Sequence, residues 1–421
     1  MSDLVSARTY CNSVFDGTHD TPKPVEKGKL LITSKHIVGK TLNTSTAYMI
    51  SQEDYNFVQK RSSVSQWDIL FSMIGSVGEV YLEKDKETDY AIKNIGVFSC
   101  KDESKAKWLY YYFQSPASKQ YVKRYLNGAV QKFLPLGALR DFPIIPFSNE
   151  KKAIITVLES LDKKIELNNR INTELEAMVK TLYDYWFVQF DFPFDFETGK
   201  SSEQGKPYKS SGGKMVFNEA LKRDIPEGWE VDTISHIIEV KDGTHDSPKP
   251  KETGYHLITS KNLKKEGLDF ENANLISEED YENINKRSEV ETGDILFSMI
   301  GSIGTVYKVD EKKINFAIKN VALYKTSQKP NYKNYLYTTL NSHYMKQYMG
   351  NVISGSIQKF IGLGALRKMP VLNNATIINS FEKKTEHLFQ KMSLIREENQ
   401  QLTQLRDWLL PMLMNGQVTV K

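Results

Sequence analysis

The chain is poor in the residues that mark several large classes of protein. Only two of its 421 residues are cysteines, Cys11 and Cys100, and neither belongs to a CxxC motif or a Cys/His cluster. That argues against a disulfide framework and a structural zinc site, and it fits a reducing compartment. No apolar run approaches the roughly 18 residues of a membrane span. The opening "MSDLVSARTY" has no basic segment followed by an apolar one, so no secretion signal is read and the cytoplasm is the expected location. Neither sign of charge dominates: 56 Lys and Arg face 52 Asp and Glu, a net +4. The total therefore says little about nucleic acid, although a basic face remains compatible with it. Seven histidines are too scattered for a metal site. Phosphate-loop GxxxxGK[ST], GxGxxG, [DN]PP[YF], HExxH and GxSxG patterns are all missing. Paired carboxylates such as Glu53 and Asp54 read as solvated surface. Hydrophobic content of 40% is ample for folded cores.

What is present is a duplication. "DGTHDTPKP" at Asp16–Pro24 returns as "DGTHDSPKP" at Asp242–Pro250, 226 residues later. At the same offset "LITSK" recurs at Leu31 and Leu257, "DILFSMIGS" at Asp68 and Asp294, and "AIKN" at Ala91 and Ala317. One insertion then moves the offset to 227, where "QKF" at Gln131 matches Gln358 and "GALR" at Gly137 matches Gly364. A collinear series of this kind is a duplicated domain, not a solenoid.

Each copy has two parts. The first, about 150 residues, carries short apolar runs broken by Gly, Pro and Asn, which predicts a mixed α/β domain. The "ILFSMI" runs read as core, and "GSVGEV" and "GSIGTV" as turns between strands. The second part has apolar residues at four-three spacing: Ile154, Leu158, Leu161, Ile165, Leu175, Val179, Leu182 and Trp186, with Asn168 and Asn172 in the same stripe. The later copy gives Phe381, Leu388, Met392, Ile395, Asn399, Leu402, Leu409 and Leu413. Such spacing predicts coiled-coil helices of roughly 57 Å, whose seams bury most simply against each other. The boundaries expected are 1–148, 149–189 for the first helix, 190–224 as a Gly/Ser/Lys-rich linker, 225–375, and 376–417 for the second helix.

Taken together, "DGTHD(T/S)PKP…LITSK", "GDILFSMIGSIG", "SGSIQKFI…GALRKMPV", the connector "GKPYKSSGGKMV…IPEGWEV" and the final "ENQQLTQLRDWLLPMLMNGQV" resemble the specificity (S) subunits of type I restriction-modification systems. The resemblance spans essentially the whole chain. It implies two target recognition domains, each reading half of a split DNA sequence. It implies an antiparallel coiled coil acting as a ruler, and so a pseudo-twofold repeat. It implies two methylation subunits and additional restriction subunits as partners. S-adenosylmethionine, ATP and magnesium would belong to those partners, with none in this chain, which would be non-catalytic.

DNA-reading loops need donors and acceptors on rigid turns, and cations for phosphates. The candidates are Thr18, His19, Lys23, Lys35, Lys60, Arg61, Lys93, Asn94, Gln131 and Lys132. Their copies are Thr244, His245, Lys249, Lys261, Lys286, Arg287, Lys319, Asn320, Gln358 and Lys359. The same residues would also recur if only the fold required them, with Asp16 and Asp242 capping turns. Because the copies are so alike, the two half-sites are expected to be related and the target nearly palindromic. A fused enzyme with unrecognised catalytic residues and a protein-binding scaffold remain the rival readings.

Overall fold

The computed structural model describes residues 4–126, 133–202, 204–264, 267–355 and 359–420. It resolves into two compact units, residues 1–166 with 401–421, and residues 167–400. Each unit therefore holds one globular domain and one end of each long helix.

In the first unit the elements run β1 (Ser13–Asp16), β2 (Lys29–Thr33), β3 (Tyr48–Ile50), α1 (Gln52–Ser62), β4 (Asp68–Ser72), β5 (Val80–Leu82), β6 (Tyr90–Lys93), β7 (Ile95–Ser99), α2 (Glu103–Phe113) and α3 (Pro116–Leu126). The first long helix, α4, follows at Lys152–Tyr183 and leads into the second unit. There the order repeats as β8 (Val240–Asp242), β9 (Tyr255–Thr259), β10 (Asn274–Ile276), α5 (Glu278–Ser288), β11 (Ile295–Ser298), β12 (Val306–Lys308), β13 (Phe316–Lys319) and β14 (Val321–Tyr324). Helices α6 (Lys333–Leu340), α7 (His343–Val352) and the long α8 (Ala375–Met414) complete it.

Both domains are a mixed α/β fold with the same topology. An antiparallel sheet runs β1-β7-β4-β5 in the first and β8-β14-β11-β12 in the second. A smaller sheet runs β3-β2-β6 and β10-β9-β13, with β2–β6 and β9–β13 parallel. The "DILFS" strand lies between two cores, which explains its unbroken apolar run. Ile69 and Phe71 pack with Trp108, Phe113 and Phe142, while Leu70 packs with Ile32, Ile92 and Val97. In the second domain Ile295 and Phe297 face one core and Leu296 the other. Helices α1 and α5 start at Ser51 and Ser277, whose hydroxyls accept the backbone N–H of Asp54 and Asp280 at 3.0 and 3.1 Å.

The four-three stripes are buried or half-buried. Ile154 and Leu158 share the first unit's core with Leu410, Leu413 and Met414, and Leu409 packs against it. Val179 shares the second unit's core with Phe381, Phe389 and Met392, flanked by Leu175, Leu182 and Leu388. The start of α4 thus packs beside the end of α8 in one unit, and the end of α4 beside the start of α8 in the other: the helices run antiparallel. Ile395 is buried, whereas Leu161, Ile165 and Leu402 are half-buried. Ile155, Phe389, Leu410 and Met414 are buried as well, so the apolar stripe is wider than a two-helix seam. The extra width covers the globular domain. Lys107 also pairs with Glu159 on α4 at 2.8 Å, and Lys333 with Glu386 on α8 at 3.1 Å.

The 190–224 linker is itself folded. Strands Met215–Asn218 and Arg223–Pro226 pair, and Phe190, Phe192 and Tyr208 are buried with Trp229. Its aromatics outweigh its Gly/Ser content, and Asp191 accepts hydrogen bonds from the backbone N–H and hydroxyl of Ser210. Cys11 and Cys100 are both free and buried, their sulfurs 3.7 Å apart. Among the described residues no helix is long and apolar enough to cross a membrane.

Two stability predictions follow from the helices. The buried Asn168 amide donates to Glu398 Oε2 at 2.7 Å and Asn399 Oδ1 at 2.9 Å. Asn168→Ala is expected to lower unfolding free energy by about 1–3 kcal/mol in urea titration, because it removes two hydrogen bonds from a buried amide. Burial pushes the Glu382 carboxyl up to about 7, although its Oε1 accepts the Tyr335 N–H at 2.8 Å. The folded state then holds a proton that the unfolded state releases from about pH 4.5, so this group's contribution falls as pH rises towards 7. Glu382→Gln is expected to raise the melting temperature at pH 8 and to change it far less at pH 4.5.

Candidate nucleic-acid interface

The repeated loop forms where the chain crosses from the small sheet to the large one. Asn94, joining β6 to β7, has φ of 53°, as does Asn320 in the second domain. Asparagine tolerates this left-handed conformation better than most residues. Thr18 bridges into the crossing: its N–H donates to Ile92 O at 3.0 Å, and Asn94 N–H donates to Thr18 O at 3.1 Å. The second domain repeats this with Thr244, Ile318 and Asn320 at 3.0 and 3.2 Å. Such close approach needs the preceding glycine. A Cβ on Gly17 would lie 2.5 Å from Ile92 O, and one on Gly243 2.2 Å from Ile318 O.

The side chains form the same lattice twice. Both ring nitrogens of His19 are engaged, Nε2 with Asp16 Oδ2 at 3.0 Å and Nδ1 with Asn94 Oδ1 at 2.8 Å. His245 has the same two distances to Asp242 and Asn320. Arg61, on α1, reaches the other oxygen of Asp16 at 3.2 Å, and Arg287, on α5, pairs with Asp242. Both aspartates are buried, yet the arginine side chains stay 64% and 61% exposed. Lys93 donates to Thr21 Oγ1 and Lys319 to Ser247 Oγ, which fastens the outer arm of each loop.

The structure therefore divides the sequence candidates by position. Thr18, Lys93, Asn94 and their copies Thr244, Lys319 and Asn320 are built into the loop. His19, Arg61, His245 and Arg287 project from it. Lys23, Lys35, Lys60, Lys249, Lys261 and Lys359 are exposed, and among the described residues none of them has an acidic partner. Lys286 is also exposed and donates to Asn283 Oδ1 at 2.8 Å. Gln131, Lys132 and Gln358 lie outside the described residues.

A second feature escaped the sequence reading. "SMIGS" is not core throughout: Ile74, beyond the buried Met73, is 45% exposed. It stands at the tip of a turn in which the Ser72 hydroxyl donates to Ser76 O and accepts the Glu79 N–H. Ile74 bridges to Phe133, which is also exposed, and Ile300 bridges to the exposed Phe360 in the second domain. The turn reading of both Gly-rich motifs was correct, but alternation alone could not show that the strand ends at Ser72, two residues before Ile74. The first domain thus presents a polar lattice and an exposed apolar pair, and the second the same lattice with Phe360 exposed beside a half-buried Ile300, which suits base edges and thymine methyls.

The chain matches the family model described as the type I restriction modification DNA specificity domain at residues 24–177 and again at 226–372. Among curated proteins it is similar to the type I restriction enzyme MjaIX specificity subunit of Methanocaldococcus jannaschii, 25% identical over 362 residues, 84% of this chain and 78% of the relative. It is similar to the HindI specificity subunit of Haemophilus influenzae, 22% identical over 409 residues, 86% of this chain and 88% of the relative. Among solved structures it resembles a type I restriction-modification S subunit from M. genitalium, with TM-score 0.49, 14% identity, and coverage of 98% and 95% of the two chains.

The lysines and the aspartates should respond differently to mutation. Lys60→Ala and Lys286→Ala are expected to leave stability within about 0.5 kcal/mol. They should weaken duplex binding alike on all sequences, with the salt slope falling by about 0.9 per lysine that meets a phosphate. Asp16→Ala should instead destabilise by about 1–3 kcal/mol, since Arg61 and His19 lose their common acceptor. Salt-titrated fluorescence anisotropy with denaturant unfolding separates the two, and an unchanged slope removes the lysine concerned from the interface.

Proposed function

Since this chain belongs to the type I restriction modification DNA specificity family, we propose that it is the non-catalytic, sequence-reading subunit of an adenine-specific restriction-modification complex. Each domain reads one half of a bipartite duplex target. Helices α4 and α8 set the spacer between the halves and offer the surface on which two methylation subunits dock. Restriction subunits complete the assembly. S-adenosylmethionine, ATP and magnesium are used by those partners, in the cytoplasm.

The observation that carries this reading is the doubling of the loop lattice. A single ligand needs one site, whereas a split duplex site needs two readers of the same build. Among the described residues no three His, Cys, Asp or Glu side chains could together hold a metal ion. The polar groups of the loops are bound to one another in a way that fixes their orientation, as direct readout requires.

The test is genetic and enzymatic. In cells carrying the neighbouring methylation subunit, a split adenine-methylated motif is expected, and it should vanish when this chain is deleted. The purified chain alone, given S-adenosylmethionine and target DNA, should transfer no methyl group. Persistence of the motif after deletion, or transfer by the lone chain, would refute the assignment.

A further inference from the structure

The two domains differ little in the groove where their loops meet the neighbouring helix, and one position lining it changes chemistry. In the first domain a shallow groove of about 400 Å³ lies between the loop and α1, lined by Thr18, Asp20, Thr21, Pro22, Lys23 and Phe57, among others. The residues 226 positions later are Thr244, Asp246, Ser247, Pro248, Lys249 and Asn283. Four are identical, Thr21/Ser247 keeps the hydroxyl, and the sixth replaces an aromatic ring by an amide. Phe57 is 66% exposed and Asn283 is also exposed. Neither contributes to a buried core, so the difference lies at the surface.

The stretches that diverge most in sequence also make contacts that serve the fold. In the first domain, the 37–50 stretch turns Lys40 towards Asp162 on α4, at 3.6 Å, so part of it serves the helix. Helices α3 and α7 differ in sequence but pack alike: Tyr121 donates to Ala138 O at 2.9 Å, and Tyr348 to Ala365 O at 2.7 Å. Their outer faces differ in charge, with Lys123 and Arg124 against Gly350 and Asn351 at the 227 offset. Charge of that kind changes phosphate affinity more than base preference.

We propose that the two domains read closely related half-sites, and that Phe57 and Asn283 set the base pair at which the halves differ. The proposal rests on the specificity reading above. An exposed phenyl ring packs against a thymine methyl, whereas an asparagine amide pairs with the N6 and N7 edge of adenine. The target is then an interrupted sequence whose two halves match except at one position.

Single-molecule methylation sequencing tests this on the complex of the chain with its methylation subunit, expressed in a host without adenine methylation. The expected motif has two halves that agree at most positions, whether one is read directly or as its reverse complement. Phe57→Asn, at an exposed site, should change base preference at one position by about tenfold or more and bring the first half to the sequence of the second. Halves that share no bases would overturn the proposal. A motif unchanged by Phe57→Asn at undiminished methylation would overturn the role of that residue. No motif from the unaltered chain would overturn the specificity reading, and this proposal with it.

Discussion

In each domain a carboxylate screened from water ties the surface loop to the fold beneath it. Asp16 and Asp242 sit at the ends of β1 and β8, buried, and each accepts from a histidine and an arginine that remain at the surface. A buried carboxylate is tolerable only when its oxygens are matched by donors. Here the donors are also side chains that stay more than half exposed. The requirement that stabilises the core therefore fixes the aim of the projecting side chains. The glycine after the aspartate and the left-handed asparagine across from it complete the constraint.

The long helices are held by a different balance. Their apolar stripes cover the globular domains as well as each other, and the docking ion pairs Lys107–Glu159 and Lys333–Glu386 recur in both units. Midway, Asn168 and Asn399 replace apolar contact by directed hydrogen bonds. An amide pair there stabilises less than leucines would, but it disfavours slipped pairings in which the amides find no partner. A ruler needs a fixed register more than it needs maximal stability.

The duplication was legible because identical residues recur at a fixed offset, and with it the class of fold, the paired helices and the family. The pairings within the loop were not legible. His19 meets Asn94 across 75 residues and Arg61 meets Asp16 across 45, distances over which a repeat identifies the participants without naming their partners. The helix stripe was read one residue too narrow at Ile155, Phe389, Leu410 and Met414, because four-three spacing describes a helix facing one neighbour. The packing of the connector was not legible in its composition. Gly, Ser and Lys dominate it in number, whereas Phe190, Phe192 and Tyr208 dominate it in buried area.

The division of the chain between the units has a bearing on biosynthesis. The second unit is one continuous stretch, residues 167–400, whereas the first combines residues 1–166 with 401–421. Leu410, Leu413 and Met414 belong to the same core as Trp108, Ile154 and Leu158. On the ribosome the domain made first is therefore the one whose core closes last. Until then the start of α4 carries an uncovered apolar face, and a nascent chain in that state is open to pairing with another copy of itself or with an early-arriving partner helix.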